Sequence, residues 1–230
     1  TLFGARDSFG IKPLYYMETQ RGLYFTSEPT SFSYNPDTCY EIDRISLQNY
    51  LTYQYVPEPN TIMTEVYTLE PGCTVEKKFG KENAINIDRY WSIQLNPIKQ
   101  SKNKRIHEIR EALRDSVEHH MRENAPIGSF LSGGIDSAIV VALAKQINPS
   151  IKTFTAGFKV DGYNEIGLAE KIANEFKVEN ISKVISPEEF VEELPNIVWY
   201  MGVPVADPSA IPLYFISREA KKHVAVVLSG

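Results

Sequence analysis

The segment Ser132-Gly133-Gly134-Ile135-Asp136-Ser137 sits where an apolar run, Ile127 to Leu131, gives way to a strongly apolar helical stretch, Asp136 to Ile147. Two adjacent glycines let a backbone approach a ligand closely and take positive φ, and the first amides of the following helix point into the turn. Such a turn is an anion cradle. The hydroxyls of Ser132 and Ser137 add donors, and Asp136, an acid inside a phosphate loop, makes sense as a ligand of the Mg²⁺ that accompanies a polyphosphate. The pattern G-x-x-x-x-G-K-[ST] and its lysine are absent, so this is not a Walker A loop. The bland alternative is a tight strand-to-helix turn in which Asp136 only complements the helix dipole.

Alternating elements are needed to hold such a loop, and residues 101–230 supply them. Ile106, Ile109, Leu113, Val117 and Met121 recur at helical spacing within Arg105 to Arg122, which predicts an amphipathic helix with one buried face. Strands are expected at Ile127 to Leu131, Lys152 to Phe158, Glu179 to Ile185 and Val224 to Leu228. Helices are expected between them at Asp136 to Ile147, Glu165 to Lys177, Pro187 to Tyr200 and Ser209 to Lys222. That alternation implies a parallel sheet covered on both faces, whose ligands bind at the carboxyl ends of the strands.

The first hundred residues read as β-rich. Leu14 to Met17 and Leu23 to Thr26 flank a hairpin turn, and Thr61 to Thr68, Cys73 to Phe79 and Ala84 to Trp91 add strands broken by Glu70-Pro71-Gly72 and Gly80-Lys81-Glu82-Asn83. Ser46 can cap a helix running to about Tyr53. The polar stretch Gln94 to Asn103, with Pro97, reads as a linker.

Composition excludes several classes. With 43% hydrophobic and 23% charged residues, 13 Gly and 14 Pro, the chain of 230 residues is neither disordered nor repetitive. Its net charge of -5 is spread evenly, since residues 1–100 carry 9 basic and 12 acidic groups and residues 101–230 carry 15 and 17. No polybasic footprint for nucleic acid or a membrane surface is present. The longest apolar run, Ala138 to Ala144, is far shorter than the roughly 20 residues that span a membrane. Cys39 and Cys73 make neither a disulfide framework nor a metal cluster, and a reducing cytoplasm is the expected location.

Ser132 to Ser137 resembles the PP-loop of ATP pyrophosphatases, which cleave ATP between its α and β phosphates to adenylate a substrate; asparagine, GMP and NAD synthetases belong to that group. Arg6-Asp7-Ser8-Phe9-Gly10-Ile11-Lys12-Pro13-Leu14-Tyr15-Tyr16 is similar to a signature near the end of the class II glutamine amidotransferase domain of asparagine synthetases. Tyr53-Gln54-Tyr55-Val56-Pro57, Leu69-Glu70-Pro71-Gly72, Tyr90-Trp91, Ala206-Asp207-Pro208-Ser209-Ala210-Ile211-Pro212 and Val227-Leu228-Ser229-Gly230 follow in that family's order. The resemblance implies an α/β chain. Residues 1–100 would be the β-rich remnant of an Ntn-hydrolase-like amidotransferase domain with its linker, and residues 101–230 the first part of a parallel-sheet PP-loop synthetase domain.

The same resemblance implies ATP-dependent synthesis of asparagine from aspartate, with glutamine or ammonia as nitrogen donor, ATP and Mg²⁺ as cofactors, and β-aspartyl-AMP as intermediate. It leaves a homodimer open and calls for no nucleic-acid or membrane partner. A related enzyme adenylating another carboxylate, such as a β-lactam synthetase, is the alternative, because the nucleotide loop does not choose the acid. Carried over by position, Leu131, Ser132, Gly133, Gly134, Asp136, Ser137, Ala156, Ser229 and Gly230 would bind ATP and pyrophosphate, with Asp136 also on the metal. Leu131 and Ala156 are where the family holds the nucleoside. Asp207 and Ser209 would form a substrate loop, although Asp-Pro-Ser is equally a helix cap. No side chain within 1–230 is assigned a covalent catalytic role.

Glutamine-hydrolysing members begin with a processed N-terminal cysteine, which Thr1, Cys39 and Cys73 do not match. The chain is therefore expected to be a piece of a longer protein, without glutaminase activity as written. His119 and His120 point about 100° apart on a helix end and are read as solvated, and Trp199-Tyr200 as core packing.

Overall fold

The computed structural model describes residues 1–39, 41–78, 85–121, 125–158 and 165–230. These form two compact units, Thr1–Pro97 with Val198–Asp207, and Ile98–Ile197 with Pro208–Gly230. Phe79, the expected turn at 80–83, Ala84 and Arg122 lie outside the described residues.

In the first unit, aromatic and β-branched runs form short antiparallel strands. The expected hairpin is present: β2 (Tyr15–Thr19) pairs with β3 (Gly22–Thr26), Tyr16 opposite Phe25. β4 (Val66–Thr68) adds to the other edge of β2. A second sheet has the order β1-β5-β6, from β1 (Leu2–Ala5), β5 (Cys73–Lys77) and β6 (Ile85–Arg89). Tyr16, Leu69, Cys73 and Val75 make a buried cluster that joins the two sheets. Lys77 is buried too, and its ammonium is matched by Glu18 at 2.5 Å, as a charge taken out of water requires.

Three details differ from expectation. Of the run Thr61 to Thr68 only Val66–Thr68 is strand, because Glu65 takes φ 64° and breaks the extended backbone. Helix α1 (Arg44–Tyr53) is capped by Asp43, not Ser46; the Asp43 carboxylate accepts from the Ser46 N–H at 2.7 Å, which also draws the Asp43 pKa below its usual value. Strand β1 was not expected at all.

The second unit is built on a four-stranded parallel sheet in the order β10-β7-β8-β9, comprising β7 (Ile127–Phe130), β8 (Lys152–Phe158), β9 (Glu179–Ile185) and β10 (Val226–Leu228). α3 (Ile135–Ile147) links β7 to β8, and α4 (Ile166–Phe176) links β8 to β9. α5 (Pro187–Met201) and α6 (Ala210–Ala220) lie between β9 and β10. The chain thus moves outward from β7 to β9 and returns to place β10 on the far edge of β7. Strand order reverses between β7 and β10, and open parallel sheets bind ligands at that point.

Both faces of this sheet are covered. Phe154 packs with Ile216 and Ala220 of α6, while Leu131, Val141, Ala169 and Ala173 form a core with α3 and α4. α2 (Lys102–His120) begins inside the stretch read as linker, capped by Ser101. Its Val117 is buried against Ile127, Ala144, Ile151 and Leu228. Ile106, Ile109 and Leu113 remain 45%, 54% and 37% exposed, so the expected buried face exists only at the helix C-terminus.

Charge ties α5 to α6. Arg218 pairs with Glu193 and Glu189, and the Tyr214 hydroxyl donates to Glu193 at 2.8 Å. Hydrogen bonds from Asn196, Tyr214 and Arg218 hold the Glu193 carboxyl at about 2, below its ordinary 4.5. A depressed pKa in the folded chain contributes stability above the ordinary carboxylate pKa and loses it as pH falls through the folded value. The excess thermal stability of the chain over Glu193→Gln should therefore be constant at neutral pH and shrink between pH 4.5 and about 2. Melting curves followed by circular dichroism check this, and a pH-independent difference would refute it.

Candidate functional site

Between β7 and α3 the chain turns within four residues, 131–134. Gly133 takes φ +84°, a region that disfavours any side chain, and a Cβ there would stand 3.1 Å from Leu168 Cγ of α4. The backbone angle favours glycine, and a side chain there would also oblige Leu168 to give by a few tenths of an ångström. Gly133→Ala should lower stability by about 1–3 kcal/mol, read as a shift in the urea midpoint. No measurable shift would mean that the turn relaxes freely.

The two serines shape the loop. Ser132 Oγ and Ser137 Oγ lie 3.1 Å apart, the Ser132 N–H donates to Ser137 Oγ at 3.3 Å, and the Gly134 N–H donates to Ser132 Oγ at 3.3 Å. Ser137 is buried, whereas Ser132, Gly134 and Asp136 are exposed. Gly134 is the N-cap of α3, so the amides of Ile135, Asp136 and Ser137 open the helix. Such amides lack partners within the helix and carry the positive end of its dipole.

A cleft of about 390 Å³ opens beside this loop at the carboxyl ends of the strands. Leu131, Ser132 and Ser137 line it from the loop, Ala156 from β8, Ser209 from the approach to α6, and Ser229 and Gly230 from beyond β10. Gly230 packs so closely that a Cβ there would come 2.8 Å from the Asp136 carbonyl oxygen. Seven of the residues singled out in the sequence therefore share one cavity. Gly133, Gly134 and Asp136 belong to the same loop without lining it, and Asp207 groups with the first unit. A cleft of about 530 Å³ lies at the amino ends of β7 and β10, bounded by Pro126 and residues 220–227. Its position is opposite to where parallel sheets bind ligands.

Thr155 and Glu165 also line the first cleft and were not singled out. A signal for Thr155 existed: Thr153 and Thr155 place hydroxyls two residues apart in an otherwise apolar strand. Glu165 carried none. The N-cap of α6 is Ser209 rather than Asp207, so Pro208 precedes the helix instead of starting it. His119 and His120 are exposed, each with Nδ1 near the carbonyl four residues back, at 2.8 and 2.7 Å. Trp199 and Tyr200 are 54% and 72% exposed, which overturns the core assignment. Both cysteines are free, and burial raises the Cys73 thiol pKa.

Among the described residues no helix is long and apolar enough to cross a membrane. The glutamine amidotransferase domain profile matches residues 1–91, and the asparagine synthase profile matches residues 108–230. Over 229 residues the chain is 48% identical to asparagine synthetase (glutamine-hydrolyzing) 1 of Bacillus subtilis strain 168, covering 100% of this chain and 36% of that protein. It is 45% identical over 237 residues to a putative asparagine synthetase (glutamine-hydrolyzing) of Mycobacterium tuberculosis strain H37Rv, again covering 100% of this chain and 36% of the relative. The chain thus spans about a third of the length of these curated relatives. Among solved structures, NMN synthetase from Francisella tularensis overlaps 56% of this chain and 54% of its own with a TM-score of 0.37 and 18% identity, an overlap too slight to carry an argument. Since the synthase profile takes in more than half of the chain, the Ser132–Ser137 loop included, the chain belongs to the asparagine synthase family.

Proposed function

We propose that the protein makes asparagine from aspartate and ATP, with glutamine or ammonia as nitrogen donor. The observation that carries this reading is a Ser-Gly-Gly turn at a strand's carboxyl end, with Gly230 packed against Asp136 and a cleft opening beside it, within a chain matched by the asparagine synthase profile. In this reading residues 1–100 belong to the half that frees ammonia from glutamine, and residues 101–230 to the half that activates aspartate. The backbone at Leu131 and Ala156 holds the nucleoside, and the 132–137 loop holds the β and γ phosphates. The β-carboxylate of aspartate attacks the α-phosphate, pyrophosphate leaves, and ammonia then displaces AMP from β-aspartyl-AMP. Segment 207–209 is assigned to the aspartate.

This chemistry needs no covalent bond to the protein. It needs the reactants held in line and the charge on the leaving pyrophosphate offset, which fixed amides at a helix start supply. Asp136 is an exposed carboxylate in the first turn of α3, and no group of three His, Cys, Asp or Glu able to hold a metal occurs among the described residues. One carboxylate fits an ion such as Mg²⁺, which is held mainly by substrate phosphates and water. When bound, that ion would neutralise charge on the pyrophosphate, and Asp136 would anchor it.

The test is pyrophosphate release from ATP by a protein extending this chain to the length of its relatives, supplied with ammonia and a panel of carboxylic acids. Release that requires aspartate supports the reading. Release that requires another acid instead would move the enzyme to a different substrate.

A further inference from the structure

β8 turns two buried threonines to the same side of the sheet. Thr155 Oγ1 lies 2.7 Å from the carbonyl oxygen of Leu131 and 3.1 Å from Asn180 Oδ1 of β9. Thr153 Oγ1 lies 2.9 Å from that same amide atom and 3.0 Å from the Glu179 carbonyl oxygen. Asn180 Nδ2 is 3.1 Å from Ser182 Oγ, which reaches a Glu170 carboxylate oxygen of α4 at 3.0 Å. The Leu131 N–H also donates to the Phe154 carbonyl at 2.9 Å. β8 therefore grips Leu131 at both its N–H and its carbonyl.

Counting protons decides how this network is wired. A hydroxyl has one proton to donate, and a carbonyl has none. With the amide oxygen of Asn180 toward the threonines, each threonine faces two acceptors and can satisfy one, leaving a lone pair against a lone pair at the other. Inside a sheet such a contact is costly. Half a turn about χ2 exchanges the amide's oxygen and nitrogen at almost the same positions. Nδ2 then donates one proton to each threonine, and each threonine donates to its carbonyl, Glu179 or Leu131. The Ser182 proton serves Glu170 or the amide oxygen in that arrangement, so five of the six contacts carry a proton instead of four.

We propose that Asn180 presents its amino group to Thr153 and Thr155 and is a positioning residue for the nucleoside end of the cleft. It commits the Thr155 proton to the Leu131 carbonyl and so fixes the peptide that leads into the phosphate loop. This rests on the nucleotide reading above and adds to it a named source of rigidity. Asn180 itself is not among the residues lining the cleft.

The test separates the nucleoside from the phosphates. Asn180→Asp keeps shape but offers only acceptors, Thr155→Val removes the hydroxyl, and Thr155→Ser retains it. Each is made in the protein extended to the length of its relatives and titrated calorimetrically with AMP and with magnesium pyrophosphate, alongside the unaltered protein. Asn180→Asp and Thr155→Val should weaken AMP binding roughly fivefold to tenfold, as expected for one misdirected hydrogen bond, and leave pyrophosphate binding unchanged, with Thr155→Ser restored. Equal loss of both ligands would show only a loosened fold and overturn the positioning role. Unchanged AMP binding in both variants would overturn it as well, with the nucleotide reading intact. An unaltered extended protein that binds neither ligand would remove the nucleotide reading and this inference together.

Discussion

Asp136→Asn should cut aspartate-dependent pyrophosphate release by roughly 10²–10³-fold, the usual scale of a transition-state electrostatic contact. Asparagine preserves the size of the side chain and its place in the first turn of α3 while removing the charge that would anchor the ion. Ammonia as nitrogen donor keeps glutamine hydrolysis out of the measurement. If Asp136 only complements the helix dipole, the variant instead loses about 0.3–1 kcal/mol of stability and keeps its turnover. The two outcomes differ by orders of magnitude in rate, so one progress curve decides. Near-normal release would remove Asp136 from the metal site.

Arg6→Ala should cost about 3 kcal/mol of stability, because it strips the donor from three backbone carbonyls, the Leu69 bond being buried, while Glu58 is exposed enough to return to water. The Arg6 side chain is only 7% exposed, and its guanidinium donates to the carbonyls of Leu69 at 2.6 Å, Lys12 at 2.9 Å and Gly10 at 3.0 Å, besides Glu58 at 2.9 Å. Asp7 folds the same loop from the other side, accepting from the N–H groups of Ile11, Lys12 and Phe9, which draws its pKa below the usual carboxylate value. Gly10, at φ +65°, leaves no room for a Cβ, which would fall 2.8 Å from Pro71. The Arg-Asp-x-x-Gly-x-Lys segment is thus a staple between residues 6–12 and 69–72. Urea unfolding followed by tyrosine and tryptophan fluorescence measures the loss, and a change under about 1 kcal/mol, the size of a single ordinary hydrogen bond, would contradict the staple.

How much of this could be read from the sequence depended on whether the signal was local. β7 and β8 are short, largely apolar runs, β9 sets Ile181, Val184 and Ile185 among polar residues, and their helices follow a helical period, so the alternation was legible. β1 was not, because Leu2-Phe3-Gly4-Ala5 is short and carries a glycine. The start of α2 was hidden in a polar stretch with no apolar period. Periodicity also does not say what covers an apolar face: Ile106, Ile109 and Trp199 match a buried pattern and are exposed among the described residues.

The phosphate loop was legible because its residues are contiguous and each has a physical reason. The rest of the cleft depends on strand order, which no period encodes. Ser229 and Gly230 were placed by resemblance alone, and it is the return of β10 to the edge of β7 that brings both to the cleft and sets Gly230 against Asp136. Glu165 needed the assembled sheet to come into view, whereas Thr155 had a signal in the paired hydroxyls of β8.

The most direct measurement is a titration of the ¹⁵N-labelled protein, extended to the length of its relatives, with ATP and Mg²⁺, followed through backbone amide resonances. Shifts are expected first and most strongly at residues 131–137, with Ala156, Ser229 and Gly230 moving in parallel at one apparent Kd. Shifts confined to residues 220–227 at the amino ends of the strands, or no shifts at ATP concentrations that saturate related nucleotide sites, would contradict the assignment of this loop to the nucleotide.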